Sequence, residues 1–323
     1  MSRTLRALRR RILTPDTAQT RLATRGFHRK DQAAQDLLET VGAQFLAGYG
    51  EAVEARTVDE AAARLDRIPA RFRGFAYEGA AMGCAVLDAL PFGGGRVAAL
   101  LAGRGAAHVY MAYVGIGWAL ARLPKPVRPS VAGLDPLLKW LVLDGYGFHQ
   151  AYFRTRRYVG EHVVDTTCPW PDEVRTGYAG RAIDQGIGRA LWFVGGADPH
   201  RVAGLIEGFD PRRHPDLWGG AGLAATYAGG GDEAELTAFR DRAGEHRAIL
   251  AQGSAFAAEA RVRAGLLGPH TELATGVFCG RPAQEAARLT QETRPTAVHR
   301  GGPPAYEQWR QDIAAALVPS GRY

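Results

Sequence analysis

Two carboxylates and two amides stand immediately before glycines at recurring positions. Glu78-Gly79 and Asp144-Gly145 are answered about 107 residues later by Gln185-Gly186 and Gln252-Gly253. Carboxylates held in a partly dry cavity keep their protons more tightly than in water, and can then serve as general acid or base near neutral pH. If the four segments converge on an internal axis, Glu78 and Asp144 face the two amides in one cavity. The alternative is that each side chain bonds backbone at a helix terminus and touches no ligand. His149, in Asp144-Gly-Tyr-Gly-Phe-His-Gln150, has no polar counterpart in the second part, where Phe256-Ala-Ala258 occupies the equivalent place. A polar side chain that breaks the repeat is a better candidate for chemistry than one that obeys it. Glu78, Asp144 and His149 are therefore the expected catalytic group.

Four histidines follow the repeated glycines at matched distances: His108 by 29 residues, His214 by 28, and His162 and His270 by 17 each. None lies in an HxxxH, HExxH or HxH arrangement, so caps and packing are expected of them and no metal site is predicted. Aromatic residues are concentrated near the same segments. Tyr77, Tyr113, Trp118, Tyr146 and Trp218, together with His108 and His214, are the expected ligand-binding residues of a cavity suited to a hydrophobic, conjugated ligand. Nucleotide-binding glycine loops and the GxSxG serine elbow are absent, which removes the common nucleotide and acyl-transfer chemistries. No cofactor is indicated by any motif.

The elements that must position these residues are helices. Alanine, leucine and arginine recur at three-to-four spacing and alternating β-branched runs are nearly absent, so the chain is expected to be all-α. The spacing of about 107 residues predicts an internally duplicated fold of two pseudo-twofold-related halves, with an α-helical repeat superhelix as the alternative. Residues 1–30 form a basic N-terminal arm, 31–74 N-terminal helices, 75–180 the first half and 181–323 the second, all within one compact unit. Cys168-Pro-Trp-Pro171 and the loop to Gly180 are expected at the seam, and the Pro124-Lys-Pro126 cluster is expected to be a stiff, non-helical connector. Asp135-Pro136 and Asp198-Pro199 read as helix starts.

The net charge of +7 is confined to the arm. Residues 1–30 hold eight arginines and Lys30 against Asp16 alone, a net of +8 that leaves −1 for the remainder. With no basic surface over the rest of the chain and no nucleic-acid motif, nucleic acid is not an expected partner. Ser2 to Leu13 reads as an amphipathic helix with Leu5, Leu8 and Ile12 on one stripe, able to make peripheral contact with an anionic membrane or to dock on a partner, or else to fray as a solvated arm. The 17 residues between Arg104 and Arg122 carry no charge, but the run is short for a membrane span and reads as a buried helix. Three widely separated cysteines and no signal-peptide pattern suggest a reducing, cytoplasmic location, with membrane association through the arm as the variant.

Three strings carry a family resemblance: Tyr77-Glu-Gly-Ala-Ala-Met-Gly83, His108-Val-Tyr-Met-Ala-Tyr-Val-Gly-Ile-Gly-Trp-Ala119 and Leu143-Asp-Gly-Tyr-Gly-Phe-His-Gln-Ala-Tyr-Phe153. With Asp216-Leu-Trp-Gly-Gly-Ala-Gly-Leu-Ala224 and the overall length, they resemble the UnbL family, encoded beside the polyketide synthase in bacterial enediyne gene clusters. The resemblance implies a role in converting a polyketide-derived polyene into an enediyne core, alongside companion proteins of which one is an integral membrane protein. It carries over no catalytic residues. Two classes of function are therefore expected: an enzyme, or a component of one, acting on a hydrophobic polyene between the halves; or a non-catalytic assembly protein that shields the polyene and docks on a membrane-bound oxidase.

Overall fold

The computed structural model describes residues 2–91, 93–128, 133–165, 177–296 and 303–317. Among these residues there is no strand, so the all-α expectation holds. The helices are α1 (Arg3–Leu13), α2 (Leu22–Arg25), α3 (Gln32–Glu54), α4 (Val58–Leu65), α5 (Ala70–Asp88), α6 (Arg96–Ala102), α7 (Val109–Arg122) and α8 (Trp140–Phe153). They continue with α9 (Tyr178–Val194), α10 (Pro199–Glu207), α11 (His214–Ala228), α12 (Glu233–Arg242), α13 (Arg247–Arg263), α14 (Pro269–Cys279), α15 (Ala283–Glu292) and α16 (Ala305–Leu317).

Seven of them form a row in which α3, α5, α7, α8, α9, α11 and α13 each pack closely on the next. Glycine makes this packing possible. A methyl group added at Gly79, Gly115, Gly145, Gly186, Gly220 or Gly253 would overlap a carbonyl oxygen of the preceding helix, that of Phe45, Glu78, Val114, Asp144, Gln185 and Gly219 respectively. Each glycine costs an isolated helix about 1 kcal/mol relative to alanine, and the backbone approach it permits, with Cα–H groups against carbonyls, offsets that cost. The reciprocal contacts, Gly117 on Val142 and Gly147 on Ile183, fix neighbouring helices as antiparallel.

This row changes the meaning of the sequence repeat. Gly79 and Gly186 lie three helices apart, as do Gly145 and Gly253, and the same glycine-to-carbonyl contact joins every pair of neighbours between them. The repeating unit is one helix and its connection, roughly a third of 107 residues. The contacts do not divide the described residues into two halves, and they follow the plan of the alternative, a helical repeat.

The row curls until distant members meet. The Phe75 ring on α5 lies 5.0 Å from Tyr227 on α11, and Arg261 on α13 donates to the Arg71 carbonyl at the start of α5, 2.9 Å away. The inner face of the curl is therefore enclosed, and α16 packs against α13 on that side.

Local signals behave mostly as their chemistry requires. The Asp198 carboxylate caps α10 by accepting from His200 and Arg201 N–H groups. Asp135 accepts from Leu137 and Leu138 N–H groups at 2.8 and 3.3 Å, but it caps a turn, and regular helix begins only at Trp140. Lys125–Val127 is a single 3-10 turn where a non-helical connector was expected, because the φ that proline imposes is also that of a 3-10 turn. The uncharged run up to Arg122 is a buried core helix. No single helix among the described residues is long and apolar enough to cross a membrane; only the pair Arg96–Ala102 and Arg104–Arg122, bent by 84°, passes by length and composition. The seam at Cys168–Pro171 lies outside the described residues.

Candidate functional site: a buried ion cluster between two apolar chambers

Glu78 and Asp144 come together on the inner face of the row because each directly precedes a contact glycine, at the same level of α5 and α8. Arg189 of α9, one turn beyond Gln185, interacts with both. The three are all but sealed from solvent, at 3, 1 and 5 % exposure. Arg189 Nη1 donates to Asp144 Oδ1, and the guanidinium lies 5.2 Å from the centre of the Phe148 ring. Asp144 Oδ2 and Arg189 Nε are buried without a hydrogen-bond partner among the described residues, as is Tyr227 Oη. Native interiors leave few such atoms unpaired, and three of them, on Asp144, Arg189 and Tyr227, belong to residues that border one space, which marks it as a place where something polar can bind.

The electrostatics follow from burial. Loss of solvent pushes the Glu78 carboxyl up to about 7, Arg189 opposes that rise and the neighbouring Asp144 adds to it. Burial also raises Asp144, against the pull of Arg189. Arg189 stays charged, because the two acids outweigh its own desolvation. One cation thus serves two carboxyls, and burial holds both of them above their ordinary range, Glu78 at about 7. A carboxyl that exchanges its proton near pH 7 is suited to general acid–base work.

Two chambers adjoin the cluster and Arg189 borders both. The first is a cavity of about 40 Å³, with Asp144 at its edge and walls that include Val114, Leu223, Tyr227, Phe256 and, from α16, Tyr306 and Trp309. The second is a cavity of about 60 Å³, with Glu78 at its edge and walls that include Phe45, Phe75, Trp118 and Phe148, bordered by Pro15, Gln19 and Thr20 from the N-terminal arm. Apart from the ion cluster, both linings are mainly aliphatic and aromatic.

The other expected site residues are dispersed. Trp118 does line the second chamber, 4.4 Å from Phe45 ring to ring. His149 lies behind it, edge-on to Trp118 at 5.6 Å and 4.7 Å from Phe153, outside both chamber walls. Burial holds His149 neutral by pushing its pKa down to about 3, so the structure does not bring it to Glu78 and Asp144. Tyr77 points to the opposite side of α5 from Glu78: it stacks on His108 at 3.8 Å, and its hydroxyl donates to Asp66 at 2.8 Å. Tyr113 accepts from the Asp135 N–H at 2.9 Å, and Tyr146 donates to Asp165 at 2.6 Å. His214 Nε2 donates to the Phe209 carbonyl, 2.9 Å away, and Trp218 packs on Phe239 at 4.9 Å.

The two amides hold α16. Gln185 pairs with the Tyr306 hydroxyl at 3.2 Å, and Gln252 Oε1 accepts from Arg310 Nε at 3.2 Å. Arg310 is itself bound to Asp216 at 2.6 Å and Glu307 at 3.0 Å, and Arg181 binds the same two acids. Gln185 and Gln252 thus reach the first chamber only through the helix that closes it. Arg189 and Tyr227 were not expected at the site. The sequence does carry a signal for Arg189, a single charge within Ile183 to Val194 beyond Asp184, but which face of the helix holds it depends on the row. Among the described residues, no three His, Cys, Asp or Glu side chains are grouped as metal ligands would be.

No curated protein and no solved structure matches the chain. One family model, described as "Protein of unknown function (DUF1702)", matches residues 4–317, so the chain belongs to that family.

Proposed function

We propose that the protein binds an extended, conjugated hydrocarbon chain across the two chambers and moves a proton at its middle. The observation that carries this reading is the position of the Glu78–Arg189–Asp144 cluster, the polar interruption between two apolar spaces. In the proposed step, protonated Glu78 gives its proton to a polyene carbon. The cation left on the chain is balanced by the carboxylates of Glu78 and Asp144. Loss of a proton from a second carbon back to the Glu78 carboxylate completes a double-bond shift or, if a carbon–carbon bond closes first, a cyclisation. No oxidant is consumed and the enzyme ends as it began. The resemblance to the UnbL family supports a polyketide-derived polyene on the way to an enediyne core as the substrate.

The test is to isolate the intact protein from a producing cell, identify the small molecules bound to it by mass spectrometry, and repeat this with Glu78→Gln and Asp144→Asn. The expected result is a bound polyene in all three, and loss of pathway product in the variants. Product formation unchanged in both variants, with polyene still bound, would establish the assembly-protein reading instead; absence of any apolar ligand would reject both.

A further inference from the structure

Helix α1 is turned outward in an unusual sense. Leu5, Leu8 and Ile12 are 53, 50 and 69 % exposed, half of the large exposed hydrophobic residues among those described. The side facing the protein is held by arginine: Arg9 Nε donates to the Val53 carbonyl at 2.6 Å, and Arg10 Nη1 donates to Glu51 and Glu54 at 2.9 and 2.8 Å. An ordinary surface helix buries its leucines and solvates its arginines. Here the apolar stripe is left to water although a body to pack against lies directly beneath, and the helix is nonetheless ordered, capped by Ser2 and tied at its end by Arg122, which donates to the Leu13 carbonyl at 3.1 Å.

We infer that the outward face of α1 seats the protein on an anionic lipid bilayer. Three aliphatic side chains one turn apart, with no groove beside them, suit insertion among acyl chains. The charge around them is of the matching sign. Arg11 and Arg122 are exposed, burial and then the neighbouring Arg96 and Arg6 disfavour the charge of Arg9, and the nearby acids Glu51, Glu54 and Glu60 are already paired with Arg10 and Arg64. Such a cationic rim attracts phosphatidylglycerol-type headgroups. The seat also has a consequence for the second chamber, since Pro15, Gln19 and Thr20, which line it, follow α1 directly. A protein resting on α1 holds that edge of the chamber near the lipid surface, from which an apolar ligand enters without crossing bulk water. This consequence rests on the ligand reading above, whereas the seat does not.

Flotation of the full chain with vesicles of phosphatidylglycerol and phosphatidylcholine, compared with phosphatidylcholine alone, tests the inference without any ligand. The wild-type protein floats with the anionic vesicles, and less so as salt is raised. Replacement by Leu5→Ser, Leu8→Ser and Ile12→Ser together lowers partitioning by about a hundredfold, with the thermal melt unchanged because these side chains already face water. The inference is overturned if wild-type protein stays unbound with both vesicle types, if the triple variant floats equally well, or if light scattering shows a dimer that the triple variant abolishes.

Discussion

Arg189 Nη1 on α9 meets Asp144 Oδ1 on α8 at the point where the two chambers adjoin, with both side chains buried. A buried pair of this kind is expensive to break from one side only, because the survivor keeps its desolvation and loses its partner. Arg189→Met alone should therefore cost about 3–5 kcal/mol of stability. Arg189→Met combined with Asp144→Leu should recover most of that loss. Urea unfolding followed by circular dichroism measures both, and equal destabilisation in the two variants would show that an unpaired Asp144 is not what makes the loss of Arg189 costly.

Glu78 makes stability depend on pH. Folding raises its pKa from the ordinary 4.5 to about 7, so the native state holds this proton more tightly than the unfolded chain does. Its contribution is fully present below about pH 4.5 and is lost as pH rises to about 7 and beyond. Glu78→Gln has no proton to lose, and should be more stable than wild type at pH 8 by about 1–3 kcal/mol, with the advantage fading towards pH 5. Thermal melts across that range decide the matter. A wild-type protein that gains on the variant as pH rises would have the opposite linkage.

The glycine row gives a sharp contrast between two chemically identical changes. Gly186→Ala places a methyl group on the Asp144 carbonyl oxygen, and since both partners are backbone it should force α8 and α9 apart at a cost of about 3 kcal/mol. Gly276→Ala, on the exposed side of α14 with nothing within 4 Å of the added carbon, should instead stabilise by about 0.5–1 kcal/mol through helix propensity. Similar melting temperatures for the two variants would contradict the close packing.

Filling the first chamber should block binding without touching the ion cluster. Ala257 is buried and lines that chamber. Ala257→Leu is expected to weaken binding of parinaric acid, a fluorescent conjugated tetraene, by about tenfold, at a stability cost of about 1–3 kcal/mol. Glu78→Gln should bind the probe as wild type does. Titrations monitored by probe fluorescence compare the three proteins, and unaltered binding by Ala257→Leu would place the ligand elsewhere.

Much of this molecule was legible in the chain. Alanine and leucine at three-to-four spacing, with few β-branched runs, point to helices, since the tendency is local and adds up over each long periodic segment. The Glu78-Gly79 and Asp144-Gly145 pairs could also be singled out, because burial of a carboxylate beside a backbone contact is tied to the glycine next to it. The tertiary structure alone decided the period of the repeat: a spacing of 107 residues shows in the chain where the acids, amides and histidines recur, whereas contact of glycine with carbonyl marks every step of the row. It alone turned Gln185 and Gln252 towards α16 and His149 towards Trp118 and Phe153. It alone brought Arg189, 45 residues from Asp144 along the chain, into contact with it. Helical periodicity states which residues share a face, but the neighbour that face meets depends on how the row curls, and that is a sum of many weak contacts between residues far apart in sequence.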